Sequence, residues 1–238
     1  MSIVTSIRAF VAILVLAGAS AALGREYHVS VHGDDASDGS KTTLLKTIRN
    51  LSFENADGSP VRIDTDYCGK RRKAGKPVWD RLFNPMPPAI NLGFGADRVH
   101  QVLWRIDLGE LDGLMPQRVV LMIGANHVLG GTEAPETVVQ GIRACLQRIR
   151  AKTPEAKITL MAVLPCRNPA SHPDRLKTLR INDGLVALTK EARNDCLDLG
   201  PQFLDAQGNI PAALMSDAVH PKLSGYQIWG DALAPSLP

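Results

Sequence analysis

Nothing in this sequence marks a nucleic-acid partner, a metal centre or a membrane span. Lys and Arg (27) nearly balance Asp and Glu (24), for a net charge of +3, whereas nucleic-acid-binding domains usually carry a dense basic face. The one basic run, KRRKAGK at 70–76, reads as a solvated loop. Four cysteines are present (Cys68, Cys145, Cys166, Cys196), but no CxxC pair and no Cys/His cluster, so no zinc site is indicated. No apolar run reaches the ~18 residues of a spanning helix. Internal repeats and low-complexity tracts are absent as well. What remains is a globular composition, 45% apolar and 21% charged over 238 residues. That suffices for one domain of ordinary size with an appendage.

The first 24 residues have a layout of their own: one early cation (Arg8), an apolar stretch from Ala9 to about Ala17, then small residues. This is the order of an export signal, with cleavage expected near Ala21 or Gly24, and an uncleaved anchor is the alternative. The expected location is therefore periplasmic, cell-surface or extracellular. Disulfides are permitted there, yet Cys145, Cys166 and Cys196 adjoin apolar runs and read as buried free thiols.

Residues 25–58 form an irregular segment, with one short alternating strand and a Gly/Asp/Ser-rich turn region. Its residues 26–48 are similar to the opening turn of exported right-handed β-helix proteins, although no β-helix coils follow. Residues 59–238 make up the main domain, and from about Val78 onward its pattern is regular. Helical spacing is read at 99–107, 135–154, 175–192 (with a weak spot at Gly184) and 222–234. Apolar strand-like runs lie at 118–124, 157–165 and 196–200. On the second helix Val138, Ile142, Cys145 and Ile149 share one face. Apolar strands alternating with helices predict an α/β fold with a parallel sheet covered on both faces and a site at the carboxyl ends of the strands.

Three short segments carry candidate chemistry: NLGFGADR (91–98), IGANH (123–127) and SDAVH (216–220). Each is weak alone, since a Gly-rich turn is usually only a turn and a surface His is usually idle. Their joint order resembles the SGNH, or GDSL-type, hydrolase family, in the branch similar to the platelet-activating-factor acetylhydrolase catalytic subunits. The nearest stretch is 78–131, and with 203–209 and 217–233 the likeness covers about two thirds of the chain.

The resemblance implies a three-layer α/β/α sandwich with a flavodoxin-like parallel sheet and a serine-esterase mechanism. A Ser near the N-terminus attacks an ester carbonyl, a His takes its proton, and an Asp three residues before that His orients it. His220 and Asp217 match these last two. The developing oxyanion is held by the Ser N–H, by an N–H of the glycine block, matched by Ala96, and by an Asn side chain, matched by Asn126. His127 stands where the family often has Asn or Asp, which puts the substrate contacts there in question.

The Gly-Asp-Ser block itself is missing. The expected position carries Asp66, and no serine occurs between Ser59 and Ser171. A carboxylate has no proton for His220 to remove, and it would set a negative charge beside the oxyanion. Ser59 precedes its strand and is followed by Pro60, and Ser37 or Ser40 would need an insertion of some thirty residues before Trp79. A change of reading frame near Gly75 would account for the break.

The expectations are therefore an exported esterase or acylhydrolase, impaired, acting on a small-molecule or carbohydrate acyl ester without metal or organic cofactor. Against it stands an inactive remnant or carbohydrate- or ester-binding module. A third route has Asp217 and His220 activate water directly. The segment 59–65, with Val61 and Ile63 turned inward, is the expected filler of the sheet's central slot. Such a short polar filler predicts a domain less stable than its relatives, with poor order over 25–75. Oligomeric state is not readable.

Overall fold

The computed structural model describes residues 10–14, 53–54, 60–61, 74–83, 89–192, 194–217 and 219–237. Five strands form one parallel sheet: β1 (Phe10–Leu14), β4 (Ala89–Asn91), β5 (Arg118–Met122), β6 (Lys157–Met161) and β7 (Asp195–Leu197). Their spatial order is β4-β1-β5-β6-β7. Counting only these five in chain order, that is 2-1-3-4-5, the flavodoxin-like arrangement.

The two-sided burial expected of a parallel sheet is explicit on β5. Val119 and Leu121 join one apolar cluster with Ile158 and Leu160, while Val120 and Met122 join another with Met161. The first face is covered by α2 (Val99–Asp107), α4 (Pro135–Lys152) and α5 (Pro173–Ala192), which bring Val102, Ile106, Ile142, Ile149, Ile181 and Leu185. The second is covered by α1 (Lys76–Phe83) and α6 (Leu223–Leu233), which bring Val78, Leu82, Trp229 and Leu233. The result is the three-layer α/β/α sandwich.

Local signals explain the helices. Helix α4 starts on Pro135 with Glu136 in its first turn and carries Arg150 and Lys152 in its last, a charge order that suits the helix dipole. Gly184 is more than a weak spot in α5: a Cβ there would lie 2.6 Å from Val139 Cγ2, so the glycine lets α5 approach α4.

The central slot of the sheet is filled by a segment other than the one expected. Strand β1 pairs with β4 (Val11 beside Ile90) on one edge and with β5 (Val11 beside Val119, Leu14 beside Met122) on the other. Residues Pro60–Val61 (β3) instead pair antiparallel with Phe53–Glu54 (β2) in a separate two-stranded ribbon. The physical reason is sequence polarity. A parallel strand within a sheet covered on both faces calls for near-continuous apolar sequence. FVAIL supplies that, and the charge-bearing VRIDT does not. The rest of the 25–75 stretch lies outside the described residues, apart from Ala74 and Gly75.

Of the cysteines, Cys145 and Cys166 are free and buried as expected, while Cys196 is free but exposed on the edge strand β7. Cys68 lies outside the described residues. No helix among the described residues is long and apolar enough to cross a membrane.

Candidate active site

Strand β5 runs out at Gly124, whose φ of +127° is a conformation L side chains rarely adopt. That turn starts the single helical turn α3 (Ala125–Val128) and tucks Asn126 and His127 under the surface, each less than a tenth exposed. The place is the carboxyl end of β5, beside β1, where the strand order reverses; ligands of open α/β sheets bind at such a point.

Asn126 Nδ2 donates to the main-chain carbonyl of Asp97 at 2.8 Å. A side-chain amide has two N–H donors, so one is committed to holding the 94–97 turn and the second remains. Ala96, on that turn, has φ +65°. The left-handed region costs an L-residue ~1–2 kcal/mol, so the turn is held there by its surroundings. No backbone hydrogen bond from the Ala96 N–H occurs among the described residues. The two residues expected to bind an oxyanion are thus brought to one place.

His127 is turned inward. Its Nε2 accepts the Val99 N–H at 3.1 Å, satisfying a donor at the start of α2. This fixes the tautomer, because an accepting Nε2 leaves the proton on Nδ1, which lies 3.3 Å from Glu133 Oε1. Burial depresses the His127 pKa, with Glu133 opposing. Its carbonyl and that of Gly131 accept from Lys177 Nζ. The residue is a strut between α3 and α2.

Asp217 and His220 sit on a tight loop before α6. Ser216 N–H donates to the His220 carbonyl, Lys222 N–H donates to Leu214 O, and Met215 bridges Pro221. Gly225 permits this packing, since a Cβ there would stand 2.6 Å from Leu214 O. Within the loop His220 Nδ1 lies 2.8 Å from Asp217 Oδ2, and Asp217 Oδ1 also accepts the N–H groups of Val219 and His220 at 2.9 Å. Partial burial would raise the Asp217 pKa, but these two N–H groups and the imidazole outweigh it and hold the carboxyl down at about 2. With Nδ1 committed to Asp217, Nε2 is the nitrogen left for a substrate or nucleophile proton. Val219, between the pair, packs on the apolar cluster that also receives Ala125 and Val128.

Comparison with known proteins bears on the family and the fold. Residues 61–228 match the model of the GDSL-like lipase/acylhydrolase family. The chain belongs to that family. It is 35% identical over 150 residues to platelet-activating factor acetylhydrolase IB subunit alpha2 of Rattus norvegicus, covering 63% of each chain. The match thus spans less than two thirds of that relative's length. Among solved structures, a GDSL-like lipase from Bacteroides thetaiotaomicron aligns with TM-score 0.56 at 20% identity, over 69% of this chain and 83% of that one. The acetyl xylan esterase AlAXEase aligns with TM-score 0.58 at 18% identity, over 69% and 90%. At such identities the likeness concerns the fold.

The two described serines nearest His220 in sequence both direct their hydroxyls to main-chain carbonyls. Ser216 Oγ is four residues from His220 but donates to its main-chain carbonyl at 3.1 Å, and Ser224 Oγ donates to Ala213 O. Asp66, Ser37, Ser40 and Ser59 lie outside the described residues. Among the described residues no group of three or more His, Cys, Asp or Glu could hold a metal ion.

One feature of this GDSL-type site was not read from the sequence. Asp97, Arg105 and Glu110 form a buried charge network beneath the 94–97 turn. The available signal was Arg105 itself, a cation beside the apolar stripe Val99, Val102 and Ile106 of α2.

Proposed function

We propose that the chain is an exported esterase of the GDSL type that removes small acyl groups, acetyl groups on carbohydrates among them, with turnover limited by the missing Gly-Asp-Ser block. Asp217 orients His220, His220 Nε2 takes the proton of an attacking water as its oxygen bonds the ester carbonyl carbon and later returns it to the departing alcohol, and the Ala96 N–H and the second Asn126 N–H stabilise the oxyanion. Each such donor is typically worth ~3 kcal/mol of barrier. The acetyl preference is supported by the acetylhydrolase and acetyl xylan esterase among its relatives. Export is supported by the layout of residues 1–24.

The observation that carries the reading is the Asp217–His220 pair, bonded at 2.8 Å through Nδ1 with the tautomer that leaves Nε2 basic. The test is hydrolysis of a short-chain aryl acetate by the purified chain, by His220→Ala and by Asp66→Ser. Turnover that His220→Ala abolishes supports a working site. No turnover by the native chain but activity in Asp66→Ser supports a site disarmed only at its nucleophile. Silence in all three overturns the esterase reading.

A second reading rests on a specific observation, the absence of any serine between Ser59 and Ser171. It is a non-catalytic ester- or carbohydrate-binding module that keeps the pocket. It predicts retention on an acetylated polysaccharide without deacetylation.

A further inference from the structure

Helix α2 presents a cation to the turn that carries Ala96. The Arg105 guanidinium lies 4.4 Å above the Phe94 ring and 2.5 Å, through one terminal nitrogen, from Asp97 Oδ2. It therefore grips the turn on both sides of Ala96. From behind, Glu110 Oε1 accepts from Arg105 Nε at 3.0 Å, and the Glu110 N–H donates to the Arg105 carbonyl. All three charged side chains are nearly closed to solvent, with exposures of 13% for Arg105, 7% for Asp97 and 3% for Glu110.

We infer that Arg105 is a positioning residue for the oxyanion-binding turn, acting through Asp97 and Phe94 and itself oriented by Glu110; this rests on the esterase reading above.

Stability alone is a poor reason for such a network. A buried ion triad is often matched or bettered by apolar residues of similar volume, because desolvation offsets the attraction. What a planar guanidinium does supply is direction: with Nε held by Glu110, its plane sets where the terminal nitrogen meets the Asp97 carboxylate as a close ion contact, and its face covers the Phe94 ring. Asp97 is the residue after Ala96, and its carbonyl is also the acceptor for Asn126. Fixing the Asp97 carboxylate therefore fixes the left-handed Ala96 backbone and the Asn126 amide together, which is what preorganised donors require. Lysine in place of Arg105 keeps the charge and loses the fork.

The test uses the full chain with Arg105→Lys and, independently, Asp97→Asn, which removes one charge at constant shape. Two properties are read: the HN–Hα coupling of Ala96, which reports φ, and kcat and KM for aryl acetate. The expected result for a cooperatively folded variant is an Ala96 coupling shifted away from the left-handed value. It is accompanied by a kcat lowered about tenfold with KM within about twofold, as small misplacements of catalytic donors do. A folded variant whose Ala96 coupling is unchanged overturns the positioning role, whatever its kcat. If the coupling moves while the parent, the variants and Asp66→Ser all lack turnover, the positioning role stands and the esterase reading falls.

Discussion

Asn126 Nδ2 and the Asp97 carbonyl oxygen are 2.8 Å apart, and this one bond ties the turn after β5 to the turn after β4. Strands β4 and β5 are not neighbours, since β1 lies between them. The bond therefore spans the point where the strand order reverses, and it holds the Ala96 turn and the Asn126 amide together.

Replacing Asn126 by Ala removes both the tie and a donor. The Asp97 carbonyl then loses its buried partner, which costs ~1–3 kcal/mol of stability. Turnover should fall ~10²–10³-fold with little change in KM, because the lost donor acts on charge that develops only in the transition state. Denaturant unfolding and aryl acetate kinetics measure the two effects separately. A variant with reduced stability but normal kcat would remove Asn126 from the reaction.

Ala96→Gly should act in the opposite direction on stability. At φ +65° the alanine carries left-handed strain that glycine does not. The gain is partly offset by the greater freedom of glycine in the unfolded chain, so a net rise of ~0.5–1 kcal/mol is expected. The N–H stays in place, so activity should persist. A destabilised variant would mean that the alanine methyl group packs against something the backbone geometry does not reveal.

The layers of the fold were legible because burial on both faces leaves runs such as VVLMIG and ITLMAVLP, and helices that cover a sheet carry apolar residues at 3.6 spacing. The pair Asp217–His220 was legible because three residues suffice to place it. Strand β1 was not, because one early cation and a run of apolar residues describe an export signal as well as a strand between two others. Helix α1 offers only eight residues and β4 only three, too few for periodicity to show. Nor was the inward role of His127, which depends on the Val99 N–H from 28 positions away.

The buried network also predicts a pH dependence. Burial first, and then the neighbouring Asp97 charge, push the Glu110 carboxyl up to about 7 against the pull of Arg105. In the unfolded chain it has its ordinary value near 4.5. Between these values the folded state holds more protons than the unfolded state, so this group's contribution to stability falls as pH rises through that window. Glu110→Gln has no such slope. The melting temperature of the parent minus that of the variant should therefore shrink, or change sign, between pH 5 and pH 8. A constant difference over that range would falsify the assignment.

The last prediction concerns β1, where the fold and the proposed export make opposite demands. Cleavage near Ala21 or Gly24 would remove Phe10–Leu14 and leave β4 and β5 without the strand that pairs with both. A chain lacking residues 1–24 should thus lose hydrogen-exchange protection at the amides of 119–122 by tenfold or more, which is about 1.4 kcal/mol or more of local stability. Its unfolding should also become less cooperative than that of the full chain. The mass of the chain recovered outside the cytoplasm then tells which form is used. An intact mass together with the loss on truncation would mean that β1 is retained as a strand and that the leader works uncleaved. A shortened mass with undiminished protection would mean that the sheet closes without β1, through some other segment taking the central position.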